Sequence, residues 1–149
     1  MRLVSERALV AVVVWQEARG EPYEGKVGVC EVIRNRTQRK YSSDGTVTGT
    51  ILWGRQFSGM NPNDPNRIPS FTIDSDDPIV QECLRAWDEA REGSNRVVGA
   101  VHYLNVALTR RLLGGHLPAW AADPANPAEP NPHRVTAVLG QHHFLKGPD

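Results

Sequence analysis

The stretch Ala8-Leu9-Val10-Ala11-Val12-Val13-Val14-Trp15 constrains this chain most, because it is apolar on nearly every side of a helix yet far shorter than the ~20 residues of a membrane span. A helix without a polar face has to be enclosed, so the rest of the fold must be built around it. Ser5 can cap it and Gly20 can end it, which sets its limits near Ser5 and Ala18. Arg2 and Arg7 ahead of the run imitate a secretory leader. No small-residue cleavage site follows promptly, however, and the run passes straight into Glu17-Ala18-Arg19-Gly20-Glu21. We therefore expect a structural helix, no Sec signal peptide and an export route that the sequence leaves unknown.

The 149 residues suit a single domain spanning 1–149, long enough to bury about two thirds of its unfolded surface. Lys plus Arg and Asp plus Glu balance at 17 each, which removes the general attraction that a nucleic-acid or anionic-membrane binder needs. Neither is expected as a partner, and we expect a monomer. Cys30 and Cys83 fall in separate helical segments without metal or redox spacing; they read as buried thiols, with a bridge left open.

Along the chain, Tyr23, Val27, Cys30 and Val32-Ile33 recur at helical spacing through a second helix to about Arg39, with Pro22 at its first turn and a basic, polar opposite face. Thr46 can cap a short helix through Ile51-Leu52-Trp53. Arg55 to Gly59 reads as extended or a small hairpin, and Asn61 to Ser70, rich in Pro and Asn, as an irregular loop. Asp76 or Asp77 with Pro78 begins a helix whose apolar face is Ile79, Val80, Cys83, Leu84, Trp87 and Ala90, ended by Gly93. From Val97 through Leu104 the chain turns β-like, and a short helical piece follows over Ala107 to Leu113. Pro118 to Pro132 lacks periodicity and reads as a lid or a mobile segment. Val135 to Leu139 and His142 to Leu145 flank Gly140-Gln141 as a β-hairpin.

Among the residues that could carry chemistry, Glu17 ends an apolar helix, where partial burial disfavours the ionised carboxylate and moves it toward a general acid. Its negative charge also opposes the helix dipole, so helix stability does not account for it. The structural alternative is a helix-end carboxylate paired with Arg19 or with an arginine of the second helix. Glu21 and Glu24, at the start of that helix, suit capping and the dipole. Glu31 lies among apolar neighbours as a partner for Arg34 or Arg36. The five histidines, His102, His116, His133, His142 and His143, show no HExxH or closely spaced Cys/His set, so no metal or other cofactor is expected. No GxSxG elbow supports a serine nucleophile.

The run Trp15-Gln16-Glu17-Ala18-Arg19-Gly20-Glu21-Pro22-Tyr23-Glu24-Gly25-Lys26-Val27-Gly28-Val29, continued by Glu31-Val32-Ile33-Arg34-Asn35-Arg36, closely resembles the signature of SleB/CwlJ-like cell-wall hydrolases. Thr50-Ile51-Leu52 leading to Gln56-Phe57-Ser58, then Gly99 to Asn105, and Leu139 to Phe144 resemble that family's later blocks in the same order. The resemblance implies an α+β fold: a small lysozyme-like, lytic-transglycosylase-like domain, mainly helical with short β-hairpins. It also implies action on peptidoglycan glycan strands without a cofactor. The resemblance puts the catalytic glutamate within Glu17 to Glu21, with Glu17 the choice because it ends the buried helix and Glu21 the second candidate after the breaker Gly20. It further implies that Gln56, Phe57 and Ser58 form one edge of the sugar groove, with Tyr103 and Asn105 on the opposing wall, and His102 is added as a substrate-binding candidate.

The expected reaction is cleavage between N-acetylmuramic acid and N-acetylglucosamine by a lytic transglycosylase mechanism on one glutamate. Its rivals are a hydrolytic muramidase on the same fold, a zinc-dependent N-acetylmuramoyl-L-alanine amidase using the histidines, and a wall-binding module without activity. The sequence departs from the family pattern in the proline-rich stretch 118–132, and it shows neither a signal peptide nor a wall-binding module. The expected setting is therefore a phage or phage-like endolysin, acting on the wall in the periplasm or outside the cell.

Overall fold

The computed structural model describes residues 5–53, 57 and 72–147. Its architecture is α+β, with a helical half and a small antiparallel sheet. Helix α1 (Glu6–Ala18) begins where expected, the Ser5 hydroxyl accepting the amide of Ala8, and Val10, Ala11, Val13, Val14 and Ala18 are buried. Helix α2 (Tyr23–Arg39) follows after a short turn in which Pro22 precedes the first helical residue, and Lys40 closes it in the left-handed region at φ 52°.

The second helix is the central element, and the face read as basic and polar is largely enclosed. Its residues from Gly25 to Ile33, then Asn35 and Arg36, are all buried. The polar ones have partners. Glu31, with no exposed surface, accepts the hydroxyl of Ser94 at 2.6 Å and the amide of Val97 at 2.9 Å, so its partners are not the arginines. Asn35 donates to the carbonyl of Ala100 and Arg36 to that of Val101, while Lys26 pairs with Glu82 at 3.0 Å. Polar groups taken from water this completely must be bonded, and they tie α2 to the segment that leads into the sheet.

Helix α3 (Val47–Ile51) is capped by the Thr46 hydroxyl, and helix α4 (Pro78–Arg91) by Asp77, with Pro78 in its first turn. The buried stripe of α4 is Val80, Cys83, Ala86, Trp87 and Ala90; Ile79 is turned outward at 36% exposure, because it lies off that stripe by about one residue step of 100°. Cys30 and Cys83 are both buried free thiols, so the bridge left open is not formed.

The β-like expectation for Val97 to Leu104 holds only at its end. Strand β1 covers His102–Asn105, whereas Val98 (φ 50°) and Gly99 (φ 77°) form a turn whose amides are claimed by Asn95. Asn105 then caps helix α5 (Val106–Leu112). The stretch 118–132 contains a two-stranded sheet, β2 (Ala122–Asp123) with β3 (Asn126–Pro130), where a lid or a mobile segment was expected. Side-chain caps supply the order that periodicity did not signal: Asp123 accepts the amide of Ala125, Asn126 that of Ala128, and Asn131 that of His133. Strands β4 (Val135–Leu139) and β5 (His142–Leu145) form the expected hairpin about Gly140, and β5 pairs β1, giving the antiparallel order β1-β5-β4. No helix among the described residues is long and apolar enough to cross a membrane.

The sheet meets α2 closely. A side chain at Gly28 would lie 2.5 Å from Cζ of Phe144, so glycine here sets how near the hairpin approaches the helix. That approach brings the end of α1 opposite β1.

Candidate active site

A cleft of about 600 Å³ opens between the C-terminal end of α1 and β1, with α5 along its side. Gln16, Glu17 and Glu21 line it from the helical side; Tyr103, Asn105 and His142 line it from the sheet. Both candidate glutamates therefore reach one cavity, though in different states. Glu17 is half-buried and accepts a hydrogen bond from the phenol of Tyr103, whose hydroxyl is held protonated by burial first and by the charge of Glu17 second. Arg36, buried on α2, lies close enough for its charge to act on Glu17, Tyr103 and Tyr41; burial outweighs these in lowering its pKa.

Glu21 is occupied by the fold. Its side chain is 9% exposed; one oxygen accepts the amide of Gln141 at 3.0 Å and the other lies 3.6 Å from Nδ1 of His142. Its carbonyl also takes the ammonium of Lys26. A carboxylate that receives the turn amide of the β4–β5 hairpin anchors that hairpin to α2. Gly140 (φ 58°) is part of the same contact, since a side chain there would fall 2.2 Å from Oε2 of Glu21. His142 is held below its ordinary pKa by burial, against the pull of Glu21, so the imidazole in the cleft wall is neutral near pH 7.

The remaining predicted residues divide. Tyr103 and Asn105 stand on the cleft wall; Asn105 also caps α5 and donates to Gln141 at 3.1 Å. His102 lies outside this cleft. Its Nε2 is 2.8 Å from the hydroxyl of Tyr41, and its ring stands 4.8 Å from that of Trp120. Phe57 is a core residue, 2% exposed beneath the guanidinium of Arg36 at 5.5 Å, and offers no ring to a groove surface. Gln56 and Ser58 lie outside the described residues, as do the extended segment expected around them and the loop at 61–70. His116, His133 and His143 do not line the cleft, and no group of three or more His, Cys, Asp or Glu able to hold a metal occurs among the described residues.

Sequence reasoning missed Arg36 and Trp120. Arg36 carried only a weak signal, one of several cations on a helix with a basic, polar face, and Trp120 had none in a stretch without periodicity. Among the acidic residues of the loops, Asp44 is engaged by Thr46 through its amide and hydroxyl, and Asp74 caps the turn before α4; Asp64 lies outside the described residues.

Comparison with known proteins places the chain by family and fold. The pattern of the family described as Cell Wall Hydrolase matches residues 20–145. The spore cortex-lytic enzyme of Oceanobacillus iheyensis is 44% identical over 87 residues, 54% of this chain and 28% of that protein. That of Bacillus subtilis is 31% identical over 97 residues, 65% of this chain and 28% of the relative. The matched stretch thus spans less than a third of either relative. Among solved structures, the catalytic domain of the germination-specific lytic transglycosylase SleB from Bacillus anthracis superposes with a TM-score of 0.65 at 23% identity, covering 98% of this chain and 99% of that one, a likeness of fold. The Bacillus cereus SleB catalytic domain gives 0.63 at 25% identity, covering 95% and 89%.

Proposed function

Because this chain belongs to the cell-wall hydrolase family, we propose that it cleaves peptidoglycan glycan strands between N-acetylmuramic acid and N-acetylglucosamine as a lytic transglycosylase, with Glu17 as acid and then base. The observation that carries this reading is the contrast between the two glutamates of one cleft: Glu17 is bonded to Tyr103 there, and Glu21 is committed to the amide of Gln141. The family match begins just after Glu17, so the choice between the two rests on that geometry.

Glu17 gives its proton to the departing glycosidic oxygen as the bond to the anomeric carbon breaks. The carboxylate left behind is stabilised by the Tyr103 hydroxyl and by the nearby charge of Arg36. The C6 hydroxyl of the muramic ring then attacks its own anomeric carbon, and Glu17 takes the released proton, which restores the acid and leaves a 1,6-anhydro end. Hydrolysis would need a second carboxylate to activate water. With Glu21 engaged, the intramolecular route has the advantage of effective concentration.

Digesting purified peptidoglycan and weighing the products tests this. Anhydromuramic ends are expected; reducible muramic ends, heavier by one water, would move the reaction to the muramidase reading. Free peptide stems released in a zinc-dependent manner would move it to the amidase reading. The substrate lies outside the cytoplasmic membrane, and the setting we favour is a phage-type lytic enzyme. Lysis of purified vegetative walls supports that setting, and activity confined to spore cortex refutes it.

A further inference from the structure

A second surface lies beside the cleft and has no part in the chemistry above. Trp120 is 42% exposed although its ring packs against His102, with centroids 4.8 Å apart and planes inclined by 33°. His102 is fixed in turn by Tyr41, edge-on at 87° and hydrogen-bonded between the hydroxyl and Nε2 at 2.8 Å. The turn that carries Trp120 is pinned: Arg134 donates to its carbonyl at 3.3 Å, and the next amide, that of Ala121, bonds Pro118. A large indole left in water but immobilised from behind is preorganised, because little side-chain freedom remains to be lost on binding.

We propose that Trp120, backed by His102 and Tyr41, is a stacking platform for an N-acetylated pyranose ring of the same glycan strand, at a position beyond the cleft that holds Glu17. This rests on the glycan-cleaving reading above and names where the strand continues. His102 and Tyr103 are neighbours on β1, the edge strand of its sheet, so their side chains leave opposite faces of that strand, and a glycan passing from the cleft to Trp120 crosses the sheet at that edge. Arg36 links the two places, its charge acting on Glu17 and Tyr103 and also on Tyr41 and His102. The chemistry of the platform suits a neutral sugar. Burial, then the charges of Arg36 and Arg134, hold the His102 pKa down to about 4, so near neutral pH the ring behind Trp120 is an uncharged aromatic surface. An indole face gives apolar contact to the axial C–H face of a pyranose, while the hydroxyls at the ring edge stay in water.

The test uses the full chain carrying Glu17→Gln, titrated with a tetrasaccharide of alternating N-acetylglucosamine and N-acetylmuramic acid. Covering roughly 60 Å² of indole corresponds to about tenfold in affinity, so Trp120→Ala in this background is expected to bind about tenfold more weakly and Trp120→Phe to recover most of the loss. In the parent, the indole N–H resonance of Trp120, assigned by its absence from Trp120→Phe, is expected to shift during the titration, a readout that does not need the alanine variant to fold. An unmoved resonance, or an unchanged affinity in a folded Trp120→Ala, overturns the platform. The wild-type digest run alongside separates the two ideas: glycan products with an unmoved resonance sink the platform alone, whereas no glycan products and no saccharide binding sink the cleavage reading with it.

Discussion

If Glu17 does the chemistry and Glu21 holds the wall of the cleft, exchanging one for the other should separate activity from stability. Glu21→Ala leaves the turn of the β4–β5 hairpin without the acceptor for the Gln141 amide and leaves His142 Nδ1 facing an empty space, where the Glu21 side chain is only 9% exposed. A hydrogen bond to a buried charged acceptor contributes about 2 kcal/mol. For a chain of this size that corresponds to a fall in Tm of roughly 6 °C. Because the anchored hairpin adjoins β1, lysis should fall too, but by less than about tenfold while the protein stays folded. Glu17→Gln keeps the shape of the side chain and removes the proton donor, so lysis should fall by at least about a hundredfold, with Tm within about 2 °C of the parent. Turbidity loss of purified walls and thermal melting by circular dichroism, on the same preparations, read both quantities. The division of labour is wrong if Glu21→Gln abolishes lysis at an unchanged Tm while Glu17→Gln stays active.

Gly28→Ala would force a methyl group to 2.5 Å from Cζ of Phe144 and 3.1 Å from Cδ1 of Leu139. Separating α2 from the hairpin in this way should cost about 1–3 kcal/mol, seen as a lower urea midpoint at an unchanged slope; a neutral substitution would show that the sheet is not seated as closely as the cleft requires. Stability should also depend on acid. The folded pKa of His102 is depressed from 6.5 to about 4 by burial, so the unfolded chain takes up its proton first, and stability present above pH 6.5 is lost as the pH falls toward 4. His142 and His143 are shifted in the same direction. Tm measured across that range should decline, and His102→Gln should flatten part of the decline; an unaltered slope in that variant would contradict the burial of a neutral imidazole.

Helix α1 was legible because its signals are local: an apolar run with a capping serine before it and a glycine after it needs no partner to be recognised. The same holds for α4, with Asp77 and Pro78 at its start, and for the hairpin about Gly140, where a glycine stands between two strand-like segments within a few positions. Position in the cleft was legible for Glu17 and Tyr103 only through likeness to a family, since nothing in the spacing of 86 residues says that they meet. Tertiary structure decided the rest. The polar residues of α2 read only as a basic, polar face because a sequence lists donors and acceptors without saying which are enclosed; only the folded chain brings Ser94, Val97, Ala100 and Val101 to Glu31, Asn35 and Arg36. Phe57 could not be told from a groove residue for the same reason. An aromatic ring suits a core or a sugar equally, and which it meets depends on elements distant in the chain. The same distance separates the two glutamates in role: four residues apart and chemically identical, they differ because the turn at Gln141, 120 residues away from Glu21, donates its amide to that one and leaves Glu17 to Tyr103.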